Sequence, residues 1–232
     1  SNQFDMFGES SEATIQAPVP EETPIWSTME LLSKEKDVVG IYISGHPLDD
    51  YKVEMANFCN GNFSMLNDLD KINGKELRFA GVVTKVEHRE TKTGKPFGVL
   101  HIEDYHDSFS FYLFSDDYIN FKAYLTTGWL LHLSGKVKKR FYNDDLEFKI
   151  SSIDLLSELI DKEVRDVMLK VDVGDISEQL VNDVVHIVSE HKGKHSLVFN
   201  VVDHLNKYEV DLLSRKMKVN LDREFLERIG EL

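Results

Sequence analysis

Residues 77–90 read LRFAGVVTKVEHRE, and residues 97–105 read FGVLHIEDY. Both runs are rich in β-branched and aromatic residues and alternate loosely, the pattern of half-buried strands. Between them lies KTGKP, a basic turn holding Gly94 and Pro96. Residues 107–115, DSFSFYLFS, give a third strand. Residues 116–125, DDYINFKAYL, have helical spacing. WLLHLSGKVKKRFYN (129–143) and LEFKISSIDLL (146–156) give two more strands, joined at the Asn143-Asp144-Asp145 turn. Three strands, a helix and two strands in about 80 residues is the arrangement of a five-stranded OB-type β-barrel. Gly81 and Gly135 fall inside strands, where glycine permits the sharp bending that a small barrel needs.

Upstream, the pattern is helical. Ser27 and Glu30 form a Ser-x-x-Glu capping box. Leu31, Leu32, Val38, Val39 and Tyr42 follow at helical spacing, and the helix is expected to stop near Ser44-Gly45. Pro47 suits the first turn of a second helix, and a third is expected from Met65 to Lys71. Residues 8–25 hold four glutamates and three of the five prolines, a linker composition. Downstream, VMLKVDV is strand-like. Ser177 is placed to cap a helix with Leu180, Val181, Val184, Val185 and Val188 on one face. SLVFNVV and YEVDLLSRKMKVN read as a strand pair, and Asp222 is placed to cap a last short helix. The fold class is therefore mixed: N-terminal short helices, an OB-type β-barrel and a small α+β C-terminal domain. The expected divisions are 1–25, 26–74, 75–157 and 158–232.

The chain has 232 residues and a net charge of −14, which argues against a general nucleic-acid coat. The charge is uneven. Residues 1–74, 75–152 and 153–232 carry net −9, +1 and −6. A nucleic-acid face, if the chain has one, belongs to the middle third. One cysteine, Cys59, builds neither a disulfide framework nor a four-cysteine zinc site, which fits a reducing cytoplasm. No apolar run reaches membrane-spanning length, so no membrane partner is expected.

No P-loop, Gly-x-Gly-x-x-Gly, nucleophile elbow or zinc-protease helix is present. Asp116-Asp117 and Asp144-Asp145 sit at a helix start and a turn, where Asp is expected for local reasons. His186, His191 and His195 read as solvated surface. No catalytic residue, metal or cofactor is assigned.

The barrel does carry features suited to single strands, which bind through a basic track and aromatic platforms. Lys92 and Lys95 lie in the first hairpin turn, with Phe97 directly after. Lys138, Lys139 and Arg140 continue the basic run that starts at Lys136 on the fourth strand, and Tyr142 follows. Alternation sends Phe109 and Phe111 to one face of strand three and Tyr112 and Phe114 to the other. It leaves open which pair is inside.

Several stretches, in order, resemble a known family. QFDMFG, then a linker, then KEKDVVGIYISGHPLDDY, resembles the bacterial DNA polymerase III alpha subunit after its helix-hairpin-helix domain. The specific match is GIYISGHPL, Gly40 to Leu48. AGVVTKVEHRETKTGKPFGVLHIEDY resembles the family's OB segment, including the Thr-Lys-x-Gly turn at Thr91 to Gly94. The final region is matched mainly at KGKHSLVFNV. The resemblance implies a clamp-binding peptide at Gln3, Asp5, Met6 and Phe7, on the family's Gln-x-x-Met/Leu-Phe pattern. It implies single-stranded template DNA against the OB barrel, assigned here to Lys92, Lys95, Phe97, Lys138, Lys139, Arg140 and Tyr142. It also implies docking of the C-terminal unit to the clamp-loader tau subunit. The family's catalytic aspartates lie far upstream, so this stretch is expected to be a non-catalytic tether in DNA replication. The alternative is a protein-interaction spacer whose barrel does not bind nucleic acid.

Overall fold

The computed structural model describes residues 26–140 and 145–232. Gln3, Asp5, Met6, Phe7 and Tyr142 lie outside the described residues.

Helix α1 spans Thr28–Val39, and both bonds of the Ser27/Glu30 capping box form. It ends earlier than the sequence suggests. Gly40 takes a left-handed φ of 89° and its N–H caps the carbonyl of Lys36, a conformation that glycine adopts without steric cost. Pro47 opens a 3-10 turn, Pro47–Tyr51, which runs into α2, Lys52–Phe58. The third helix is shorter and earlier than expected, a 3-10 turn at Phe63–Asn67. The reason is Asp104, whose carboxylate accepts the Phe63 N–H at 2.7 Å and fixes the start of the turn.

The barrel strands are β1 (Glu76–Glu90), β2 (Pro96–Glu103), β3 (Ser108–Phe114), β4 (Leu130–Lys139) and β5 (Leu146–Leu155), with α3 (Asp116–Phe121) between β3 and β4. All neighbours are antiparallel, in the order β3-β2-β1-β4-β5. The connection order is the expected OB one. The two edge strands, β3 and β5, are not joined by a ladder among the described residues. Side chains span that seam instead: Phe111 and Phe148 rings lie 6.1 Å apart, and Lys149 pairs with Asp117 of α3.

The barrel core is built from Phe63, Phe79, Leu100, Ile102, Leu131 and Leu133, all fully buried. Strand β1 breaks simple alternation, since Phe79 to Val83 are buried on both faces. The connector explains this. Ala80 on the outer face packs with Leu48, Leu156 and Leu159 in a second cluster. The strand glycines act through close approach rather than unusual φ. A Cβ at Gly81 would lie 2.6 Å from the Phe63 ring. One at Gly135 would overlap the Lys149 carbonyl and the Phe148 ring.

The C-terminal unit comprises α4 (Leu159–Glu163), β6 (Asp166–Asp172), α5 (Glu178–Glu190), β7 (Lys192–Asp203), β8 (Tyr208–Val219) and α6 (Arg223–Gly230). Its sheet order is β6-β7-β8, parallel then antiparallel. The parallel pair needs a crossover, and α5 supplies it. Ser177 and Asp222 cap α5 and α6 as expected. Ile187, Val188, Leu197, Val219 and Phe225 form the core.

The solvated reading of the C-terminal histidines fails at two of the three. His191 and His195 are 8% and 1% exposed. His191 Nδ1 meets Asp222 at 3.0 Å, and His195 meets the Val164 carbonyl at 3.0 Å and Asp161 at 3.2 Å. The helix-end and loop acceptors thereby satisfy imidazole nitrogens that burial would otherwise leave without a partner. Neither builds a metal site: no grouping of three His, Cys, Asp or Glu able to hold a metal occurs among the described residues.

Candidate nucleic-acid interface

The register of the barrel decides which aromatics face outward. Arg89 pairs with Phe97 and Phe97 with Phe114; Glu87 pairs with Val99 and Val99 with Tyr112. Cross-strand partners share a face, so these side chains line one outer surface of β1–β2–β3. Phe111 and Leu113 point the other way and are buried. The alternation left open by the sequence is thus resolved: Phe109 and Phe111 pack inward, Tyr112 and Phe114 outward.

The outward rings form a row. Phe97 stacks on Phe114 at 4.9 Å with 25° between planes. Tyr112 lies 6.4 Å beyond Phe114, nearly coplanar in orientation at 12°. Tyr112 is 59% exposed and Phe114 48%. Large rings left open to water on adjacent strands, with parallel faces, make a platform on which planar bases stack. Only Phe97 of this row was assigned from the sequence. Tyr112 and Phe114 were visible there as an alternating pair, and the missing information was which side faced the core.

The turn carrying Lys92 and Lys95 is fixed by its own hydrogen bonds. The Thr91 N–H donates to the Lys95 carbonyl at 2.8 Å, and the Lys95 N–H donates to Thr91 Oγ1 at 3.0 Å. Gly94 has φ 75°, a left-handed position. Both lysines are exposed, and neither has an ion-pair partner among the described residues. Lys138 on β4 is likewise exposed and unpaired. Lys139 and Arg140 are exposed at the end of the same strand, where Arg140 pairs with Glu147 at 3.1 Å. Lys136 pairs with Glu76 at 2.9 Å.

Beside the aromatic row, Lys85 meets Glu87 at 2.7 Å and Arg89 shares the same carboxylate. The Lys85 hydrogen bond, with the nearby Arg89 charge, holds the Glu87 carboxyl below the usual carboxylate range against the opposing effect of burial. Two cations share one anion there.

The connector's signature has a structural role. His46 Nδ1 accepts the Leu48 N–H at 3.1 Å, and Asp49 accepts the His46 N–H at 2.6 Å. The His46 ring lies against Tyr105, whose hydroxyl donates to Asp49 at 2.9 Å. Burial lowers the imidazole pKa. These contacts clamp the connector to the β2–β3 loop, on the same outer side of the barrel but at the opposite end from the β1–β2 turn. They leave the aromatic row uncovered.

An open five-stranded antiparallel barrel with this strand order is an OB-type β fold. Residues 77–156 accordingly match the family model described as an OB-fold nucleic acid binding domain. Residues 167–231 match the model of the DNA polymerase III alpha subunit, C-terminal domain. Curated relatives named DNA polymerase III subunit alpha extend the likeness over most of the chain. The protein of Bacillus subtilis is 25% identical over 212 residues, 91% of this chain and 18% of the relative. That of Borreliella burgdorferi is 27% identical over 199 residues, 84% of this chain and 16% of the relative. That of Escherichia coli is 25% identical over 193 residues, 82% of this chain and 16% of the relative. The chain is thus similar over most of its length to DNA polymerase III alpha subunits, with an OB-fold match in its middle and a match to the alpha subunit's C-terminal domain at its end. It spans less than a fifth of the length of these relatives. No helix among the described residues is long and apolar enough to cross a membrane.

Proposed function

We propose that this chain is a non-catalytic tethering region of a replicative DNA polymerase, and that its barrel holds single-stranded DNA on the outer face of β1–β2–β3. The observation that carries the reading is the stacked row of half-buried Phe97 with exposed Phe114 and Tyr112, on the barrel that also bears Lys92, Lys95 and Lys138, exposed and without an ion-pair partner among the described residues. Bases stack on the rings while phosphates meet the ammonium groups. Lys139, Arg140 and Tyr142 extend the basic and aromatic content towards the β4–β5 turn.

The likeness to DNA polymerase III alpha subunits supports a place in DNA replication, and the reading puts the chain in the cytoplasm. Gln3, Asp5, Met6 and Phe7 form a peptide for the sliding clamp: a methionine and a phenylalanine fill a greasy pocket and the glutamine amide sets register. The C-terminal unit, residues 158–232, docks to the clamp-loader tau subunit. Its support is an acidic net charge and an edge strand, β8, that leaves Tyr208, Val210, Leu212 and Leu213 exposed. Such a strand suits a protein partner.

A second reading has its own observation. Lys136 and Arg140 are each neutralised by a glutamate, which suits a protein-interaction spacer whose barrel does not bind nucleic acid. Fluorescence anisotropy with a labelled single-stranded oligonucleotide separates the two. The intact chain is expected to bind at low salt, and a Tyr112→Ala, Phe114→Ala variant to lose about fivefold or more in affinity. Equal binding by variant and parent, or none by either, sinks the strand-binding reading.

A further inference from the structure

An open cavity of about 660 Å³ lies along the unladdered seam between β3 and β5. Phe109, Tyr112 and Phe114 line it from β3, and Leu146 and Phe148 from β5. Along an edge strand, every second residue turns its N–H and C=O away from the sheet. Neither edge has a strand partner across the seam among the described residues. Backbone donors and acceptors therefore border a slot walled by rings.

The charged groups at the slot are already spent on one another. Arg140 pairs with Glu147, and Lys149 with Asp117. A phosphate gains little there, whereas Lys92, Lys95 and Lys138 are exposed and have no ion-pair partner among the described residues. An uncharged planar group with hydrogen-bonding edges fits the slot in both respects, and that description is a nucleobase. The slot is also continuous with the outer platform, because Tyr112 and Phe114 belong to both.

The geometry points to a base-reading slot: one unstacked nucleobase of the bound strand turns from the outer row into the β3–β5 seam. There it lies among Phe109, Leu146 and Phe148, and its edge meets backbone groups of the two strand edges. The inference rests on the strand-binding reading above and adds the place where sequence preference arises. Stacking on the outer row is tolerant of sequence, while edge hydrogen bonds discriminate.

Photo-crosslinking tests this. The intact chain is bound at low salt to a labelled oligonucleotide of thymidines carrying 5-iododeoxyuridine at one position, irradiated, and digested for mass spectrometry. A Leu146→Trp variant fills the slot with a bulky ring, and a Phe109→Leu variant removes one wall with little change in volume. Circular dichroism confirms that each is folded. The expected result is adducts on Phe109 or Phe148 in the parent. Leu146→Trp should lower those adducts at least tenfold while leaving adducts on Tyr112 or Phe114, and Phe109→Leu should remove the Phe109 adduct and keep that on Phe148. Adducts confined to Phe97, Tyr112 and Phe114 overturn the slot and leave the outer-face reading intact. Adducts on Phe109 or Phe148 that Leu146→Trp leaves unchanged also overturn it, since they would form without a base seated in the slot. No binding by the parent overturns both readings together.

Discussion

Replacing Lys92, Lys95 and Lys138 together by alanine should change how the chain's affinity for single strands responds to salt, beyond lowering the affinity itself. These ammonium groups are exposed and have no ion-pair partner among the described residues. Each is free to displace a counterion from a phosphate. For single strands each such contact contributes about 0.7 to the slope of log K against log salt. Three contacts give a slope of about 2, so the parent-to-variant affinity ratio should shrink roughly 20-fold between about 50 and about 200 mM salt. Lys136 is the internal control. Its charge is held by Glu76 at 2.9 Å, and that hydrogen bond keeps the Glu76 carboxyl below the usual range. Lys136→Ala should therefore leave the slope nearly unchanged. The assay is an anisotropy titration of a labelled thymidine oligonucleotide at four salt concentrations. Parallel lines for parent and triple variant would refute the assignment of phosphate contacts. A slope lowered as much by Lys136→Ala would refute the argument that pairing status decides which lysines bind.

Asp104 is nearly buried and accepts N–H groups from Phe63, His106 and Asp107. Asp104→Ala strands these donors and should cost on the order of 2–4 kcal/mol in urea unfolding, with Asp104→Asn milder; equal stability of all three proteins would contradict this. Acid should destabilise the fold before carboxylates titrate. Burial holds the His46 and His132 imidazoles below their ordinary value, so the unfolded chain binds more protons over that window. Their contribution is complete above about pH 6.5 and is lost as pH falls from that value towards the folded pKa values. A urea midpoint flat between pH 7.5 and the carboxylate range, or unaltered pH dependence in His46→Gln, His132→Gln, would count against it. For the clamp peptide, Met6→Ala, Phe7→Ala should abolish retention of the chain on immobilised sliding clamp, with strand binding unchanged; full retention removes that assignment.

Much of the fold was legible because local signals agreed with tertiary ones. Ser27 and Glu30 cap α1, Ser177 and Asp222 cap α5 and α6, and the KTGKP turn joins two long alternating strands. These features depend on residues a few positions apart. What stayed hidden depends on partners far away in sequence. The outward choice of Tyr112 and Phe114 follows from which side of β3 meets Phe63 and Phe148. Burial of His191 and His195 follows from α6 and the α4 loop closing over them. The double burial of β1 follows from Leu48, more than 30 positions upstream of Ala80. Helix α1 ended at Gly40 because a left-handed glycine cap overrode apolar spacing that ran on to Tyr42. The basic run at Lys136 to Arg140 was plain in the sequence, yet only the fold separates Lys136 and Arg140, each neutralised by a glutamate, from Lys138, which has no ion-pair partner among the described residues.

Lysine acetylation mapped by mass spectrometry, with and without a saturating single-stranded oligonucleotide at low salt, tests most directly where DNA sits. The account predicts protection of Lys92, Lys95 and Lys138, with Lys52 and Lys71 of the connector and Lys192, Lys216 and Lys218 of the C-terminal unit modified equally in both samples. Protection confined to the C-terminal lysines, or none at all despite measured binding, would contradict it.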